Sequence, residues 1–118
     1  MIDKLIALLT ELHPDIPVYS DEITEEERLA NKSFFIYRNS NRFRRGQNGR
    51  GLYRDLDLFY VTIEQKEIDI ATLVESISEK TPLFFSTSEE DFGRLADMDK
   101  TAFMVTMTFG YPVRKCFA

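Results

Sequence analysis

Leu52-Tyr53-Arg54-Asp55-Leu56-Asp57-Leu58-Phe59-Tyr60-Val61-Thr62-Ile63-Glu64 decides the fold. In an extended chain side chains alternate between faces. Tyr53, Asp55, Asp57, Phe59, Val61 and Ile63 therefore share one face, and Leu52, Arg54, Leu56, Leu58, Tyr60 and Thr62 the other. Both faces are apolar towards the end of the run, whereas the two aspartates interrupt one of them near its start. The pattern predicts a long strand that leaves the core at its beginning and is covered on both sides at its end.

Upstream, Ser33-Phe34-Phe35-Ile36-Tyr37-Arg38 is aromatic, β-branched and too short for a helix, which predicts a second strand. Between the two strands, residues 39–51 hold Asn39, Asn41 and Asn48 with Gly46, Gly49 and Gly51, so a long projecting basic loop is expected there. Downstream, Asp69 precedes Ile70, Leu73, Val74 and Ile77, an i, i+3, i+4, i+7 set. It predicts an amphipathic helix capped by Asp69 and stopped at Thr81-Pro82. Leu83-Phe84-Phe85-Ser86-Thr87 reads as a strand, the acids from Glu89 to Asp99 as a solvated loop, and Thr101 to Phe109 as a half-buried strand. At the start, Ile2, Leu5, Ile6, Leu9 and Leu12 make a helical stripe that ends at His13-Pro14, and Ile16-Pro17-Val18-Tyr19 is extended. Thr24-Glu25-Glu26-Glu27 resembles a capping box and predicts a short surface helix to Asn31. The class is α+β: an antiparallel sheet with two main amphipathic helices packed on one face and one long inter-strand loop.

At 118 residues the chain suits one domain, 1–118, since domains commonly take roughly 100 to 150 residues. Ten Phe and five Tyr without Trp are more aromatic surface than so small a unit hides, which suggests a subunit interface. The tail, residues 110–118, carries Tyr111, Arg114, Lys115 and Phe117, has no obvious place in a two-layer core, and is a candidate for docking on a neighbouring subunit. A single cysteine, Cys116, excludes an internal disulfide, and Met1 to Lys4 lack the flank of a signal peptide, so a cytosolic setting is expected. The apolar run Leu5 to Leu9 is far short of the roughly 20 residues that span a bilayer, so no membrane partner is expected.

The charge is segregated. Residues 38–54 contain six arginines and no acid, and a window of +6 within a chain of −5 leaves −11 for the other 101 residues. Arg42, Phe43, Arg44, Arg45 and Arg50 are the candidate contact residues of this window. They suit the acidic surface of another copy in a head-to-tail ring, or nucleic-acid phosphates bound without base reading. The stretch Arg45 to Gly51 has glycines but no strand-to-helix setting and no Lys-Ser/Thr ending, so it is not a phosphate-binding P-loop.

Catalytic signals are weak. His13 is the only histidine and lies at a helix end, which favours a capping or exposed role, and Cys116 has no second histidine to activate it. Asp55 and Asp57 share a strand face as a metal-binding or acid–base pair would, but neighbouring arginines offer simple ion pairing instead. The acids from Glu89 to Asp99 do not have EF-hand spacing. No catalytic residue, metal ligand or cofactor is assigned.

The helix ending at His13-Pro14, Ile16-Pro17-Val18-Tyr19, the strand Phe34-Phe35-Ile36-Tyr37, the long polar loop, the strand Leu56 to Ile63, the helix from Asp69 and the closing strands together resemble one family. It is that of the tail-terminator, or tail-to-head joining, proteins of long-tailed bacteriophages, also labelled minor capsid or tail completion proteins. The likeness covers nearly the whole chain as element order, without a diagnostic motif. It implies a homo-oligomeric ring, usually a hexamer, that caps the tail tube, stops its polymerisation and joins tail to head. The partners so implied are further copies of the chain, a tail-tube protein and a head-connector protein, with DNA passing through the lumen. The implied place is the virion, or the host cytoplasm during assembly, and the implied protein is structural, with no enzyme activity and no cofactor. In the family the long loop helps make contacts in the ring or at the tail, and here it maps to residues 39–51.

Overall fold

The computed structural model describes residues 2–20, 32–45, 52–64, 66–94 and 101–112. Helix α1, Ile2–Leu12, buries Leu5, Leu8 and Leu9. Its stripe is turned slightly from the expected one, because Leu8 enters the core and Ile6 is only half-buried. The His13 N–H donates to the Leu9 carbonyl at 2.8 Å, and Pro14 has no N–H with which to continue. Strand β1, Val18–Ser20, then lies parallel to β2, Ser33–Arg45. The Phe35 N–H reaches the Pro17 carbonyl at 2.9 Å and fixes that junction.

Strand β3, Leu52–Thr62, pairs antiparallel with β2 and with β5, Thr101–Pro112, while β4, Phe84–Arg94, closes the sheet beyond β5. The order is β1-β2-β3-β5-β4. Helix α2, Ile70–Lys80, starts as expected: the Asp69 carboxylate accepts from the Thr72 N–H at 3.1 Å and from the Thr72 hydroxyl at 2.7 Å. At its other end Thr81 donates twice to the Ile77 carbonyl, from N–H and from hydroxyl, ahead of Pro82.

Two-residue alternation sorts the sheet into two faces. Phe35, Leu56, Leu58, Tyr60, Val105, Met107 and Phe109 meet Leu5, Leu8 and Leu9 of α1 and Leu73 and Ile77 of α2 in the main core. On the opposite face Phe34, Val61 and Ala102 form a smaller cluster flanked by Tyr19, Ile36, Phe59, Ile63 and Met104. The chain is thus an α+β fold with both described helices on one face of a mostly antiparallel sheet. Strand β3 is exposed at Leu52 and buried from Tyr60 to Thr62, as its pattern predicts.

Three expectations are corrected. The loop expected over residues 39–51 is strand as far as Arg45, since Phe43, Arg44 and Arg45 pair with Arg54, Tyr53 and Leu52. An irregularity between Asn39 and Phe43 admits extra residues into β2, which lets a polar stretch stay in the ladder. The acidic loop expected from Glu89 is strand as far as Arg94: Glu89, Glu90 and Asp91 belong to β4, where an outer strand tolerates charge, and Asp97 and Asp99 lie outside the described residues. Gly110, Tyr111 and Pro112 are not a detached tail but the end of β5. The expected helix over residues 24–31, and Arg50, Arg114, Lys115, Cys116 and Phe117, lie outside the described residues.

Candidate assembly surfaces

The arginine-bearing arm is an extension of the sheet. Beyond the irregularity, β2 and β3 run on together with β5 paired to β3 as far as Tyr53–Pro112, so the Arg45–Leu52 pair alone among the described pairs extends past β5. Arg42 falls inside the irregular stretch, and Phe43, Arg44 and Arg45 occupy its last paired positions. The radius of gyration, 15.3 Å, exceeds the roughly 13 to 14 Å of a compact chain this long, and the longest dimension is 51 Å.

At the root of the arm Arg38 stands opposite Asp57 in register. Its guanidinium donates to the Asp57 carboxylate at 3.1 Å and lies 5.2 Å from the centre of the Phe59 ring. Thr108 donates to the other carboxylate oxygen at 3.0 Å. The Asp57 carboxylate is therefore engaged structurally, by Arg38 across the strands and by Thr108. Asp55 is buried opposite Gly110. Among the described residues no three His, Cys, Asp or Glu side chains gather as a metal site would need.

Apolar side chains gather where the arm leaves the body. Leu52, Phe84 and Phe85 are each about two-fifths exposed. The Phe84 ring lies over Gly110 and meets Tyr53 edge-on at 5.2 Å, and Phe85 meets Phe109 in the same manner at 5.8 Å. Tyr111 is half-buried, packs against its own core and donates to Asn39 at 3.1 Å. Sequence reasoning missed the Phe84–Gly110 contact. Its signal was a glycine inside an otherwise aromatic strand pattern, which marks a close approach.

The far edge is acidic. Strand β4 is outermost, its outer side pairs with no described strand, and Glu89, Glu90 and Asp91 are exposed on it. At the end of the sheet away from the arm, a chain of hydrogen bonds ties β2, β3 and the turn after β3. The Lys66 N–H donates to the Thr62 hydroxyl at 3.2 Å, Thr62 and Ser33 share a bond of 2.8 Å, and Ser33 donates to Glu64 at 2.9 Å. Because each hydroxyl has one proton, Thr62 is the donor to Ser33. The Tyr60 hydroxyl donates to the Lys66 carbonyl at 2.6 Å, and burial holds this phenol above its usual range. The Lys66 ammonium pairs with Asp15, which pushes the lysine up and the carboxyl down.

The His13 ring lies 5.9 Å from that of Phe35 and is half-buried. Burial lowers its pKa, outweighing the attraction of Asp15 and acting with the repulsion of Lys66. No helix among the described residues is long and apolar enough to cross a membrane. No protein-family model matches the chain, and a search of curated proteins finds no match.

Proposed function

We propose that the chain is a structural virion assembly protein of a long-tailed phage or prophage, one that forms a ring, caps the tail tube and joins tail to head. The observation that carries the reading is the separation of unlike surfaces. An acid-free ribbon bearing Arg42, Arg44 and Arg45 lies at one end of an elongated sheet, and Glu89, Glu90 and Asp91 lie on its open outer strand. A molecule with two unlike faces associates head to tail, and a head-to-tail contact that closes makes a ring. The element order that resembles the tail-terminator family supports the particular setting.

Mixing the purified chain with polymerising tail-tube protein is the direct test. The expected result, in negative-stain images, is a ring on one end of each tube and tubes that stop lengthening. Bare tube ends with unchanged growth would refute the reading. The alternative, a nucleic-acid-binding or regulatory protein, draws on the same arginines. It predicts retention on DNA that weakens steeply with salt and is lost when Arg42, Arg44 and Arg45 become alanine.

A further inference from the structure

On the helix-bearing face, between the N-terminal end of α2 and strands β4 and β5, lies a cleft of about 320 Å³. Tyr60, Ile68, Ile70, Phe103 and Val105 supply an apolar wall, and the carboxylates of Glu67 and Glu90 are its charged members. Glu90 stands opposite Val105 in register, so the fold places it on this face while Glu89 and Asp91 take the other. The site is built on fixed parts. Tyr60 is held by its bond to the Lys66 carbonyl, and the turn that presents Glu67 and Ile68 is held by the Lys66 N–H on Thr62. The nearby Lys66 ammonium is engaged by Asp15, and the positive end of α2 is met by Asp69. What remains is an apolar slot lined also by two exposed acids. Such a slot suits a long side chain with an apolar stem and a planar cationic head, which is an arginine.

We propose that this cleft receives the arginine arm of a second copy of the chain, the Arg42, Arg44 and Arg45 segment at the end of β2. This rests on the reading of the chain as self-assembling and names the acceptor surface for it. Charge complementarity selects the occupant, since residues 38–54 carry six arginines and no acid against two carboxylates here. Geometry makes the contact intermolecular. Leu52, opposite Arg45, and Tyr60, in the cleft, are eight residues apart on the same continuous strand, which is ~26 Å at about 3.3 Å per residue. Pairing on both sides of β3 keeps the arm from folding back onto its own cleft. An arm at one end and its receptor towards the other give a head-to-tail contact.

Two complementary variants test this. One, isotope-labelled, has the arm neutralised by Arg42→Ser, Arg44→Ser and Arg45→Ser and keeps the cleft. The other has Glu67→Gln and Glu90→Gln, two exposed and volume-conserving changes, and keeps the arm. Each alone should self-associate more weakly than the unaltered chain, whereas a mixture should form a one-to-one complex and nothing larger. The backbone amide signals of Glu67, Ile68, Ile70, Glu90, Phe103 and Val105 should move in the labelled partner. Sedimentation of the glutamine variant alone should show self-association about tenfold weaker than that of the unaltered chain. Signal changes confined to Glu89, Asp91 or another surface would overturn the proposal, as would no complex in the mixture or undiminished self-association of the glutamine variant. Those failures are separable from failure of the functional reading, which is decided by whether the unaltered chain caps tail tubes.

Discussion

At the scale of single residues, Gly110 shows how a local absence organises a surface. A Cβ there would stand 2.7 Å and 2.9 Å from two atoms of the Phe84 ring, so the ring occupies the space that glycine leaves. Gly110→Ala should push the ring into solvent and break its edge-on contact with Tyr53. We expect a loss of about 1 to 2 kcal/mol by denaturant unfolding. In a Phe84→Ala background the same change should cost nothing. If the two losses simply add, the ring is not what the missing Cβ accommodates. His13 supplies a second residue-scale test. Its folded pKa is depressed by burial, so the unfolded chain takes up the proton first, and the stability present above the ordinary imidazole value of about 6.5 declines as pH falls through the folded value. Asp15, lowered chiefly by its hydrogen bond from Lys66, and Asp69, lowered chiefly by the Thr72 N–H, lose their contributions only further down, as pH drops through the carboxylate range. A melting-temperature profile should therefore fall in two steps, and His13→Leu should remove the first alone. An unchanged first step would show that another group causes it.

At the scale of elements, what could be read from the sequence was whatever a burial period records. Leu73 and Ile77 on α2, and Leu56, Leu58 and Tyr60 on β3, repeat with the spacing of their element and lie in the core as expected. The far half of β2 carries no such record. Asn39 to Arg45 is polar and belongs to the ladder because β3 lies alongside, so pairing across the chain overrides composition. Strand β4 beyond Thr87 was hidden for the same reason: with one side paired and all of residues 84–91 exposed, its acids leave no apolar alternation to detect. Among the proposed contact residues, the arginines were legible as a charge window, whereas the cleft was not. Its wall comes from Tyr60, Ile68, Ile70, Phe103 and Val105, which only the β3–β5 register and the turn at Lys66 bring together. Helix α1 depends on two side chains, Leu5 and Leu9, that have no exposed surface. Leu9→Ala should cost ~2 to 5 kcal/mol in thermal or denaturant unfolding. A loss below about 1 kcal/mol would mean that the sheet holds its core without this helix.

At the scale of the whole molecule, the decisive property is the distance between unlike charges. A chain of −5 that holds +6 in one arm repels a copy of itself as a net ion and attracts it as a dipole, and which effect wins depends on range. Net repulsion acts at the separations over which two copies approach, whereas the arm meets carboxylates at contact. Salt at 0.1 M screens beyond about 10 Å, so adding a little salt to a very dilute buffer removes the repulsion first. More salt then weakens the contact itself. Self-association should therefore pass through a maximum with ionic strength and fall by roughly tenfold between 0.1 and 1 M. The melting temperature should move little over that range, because the core is apolar and the Arg38–Asp57 pair is half open to solvent. Sedimentation equilibrium across a sodium chloride series measures the first quantity and calorimetry the second. An association that only strengthens with salt would mean that the exposed Leu52, Phe84 and Phe85, and not the arginine arm, bring copies together.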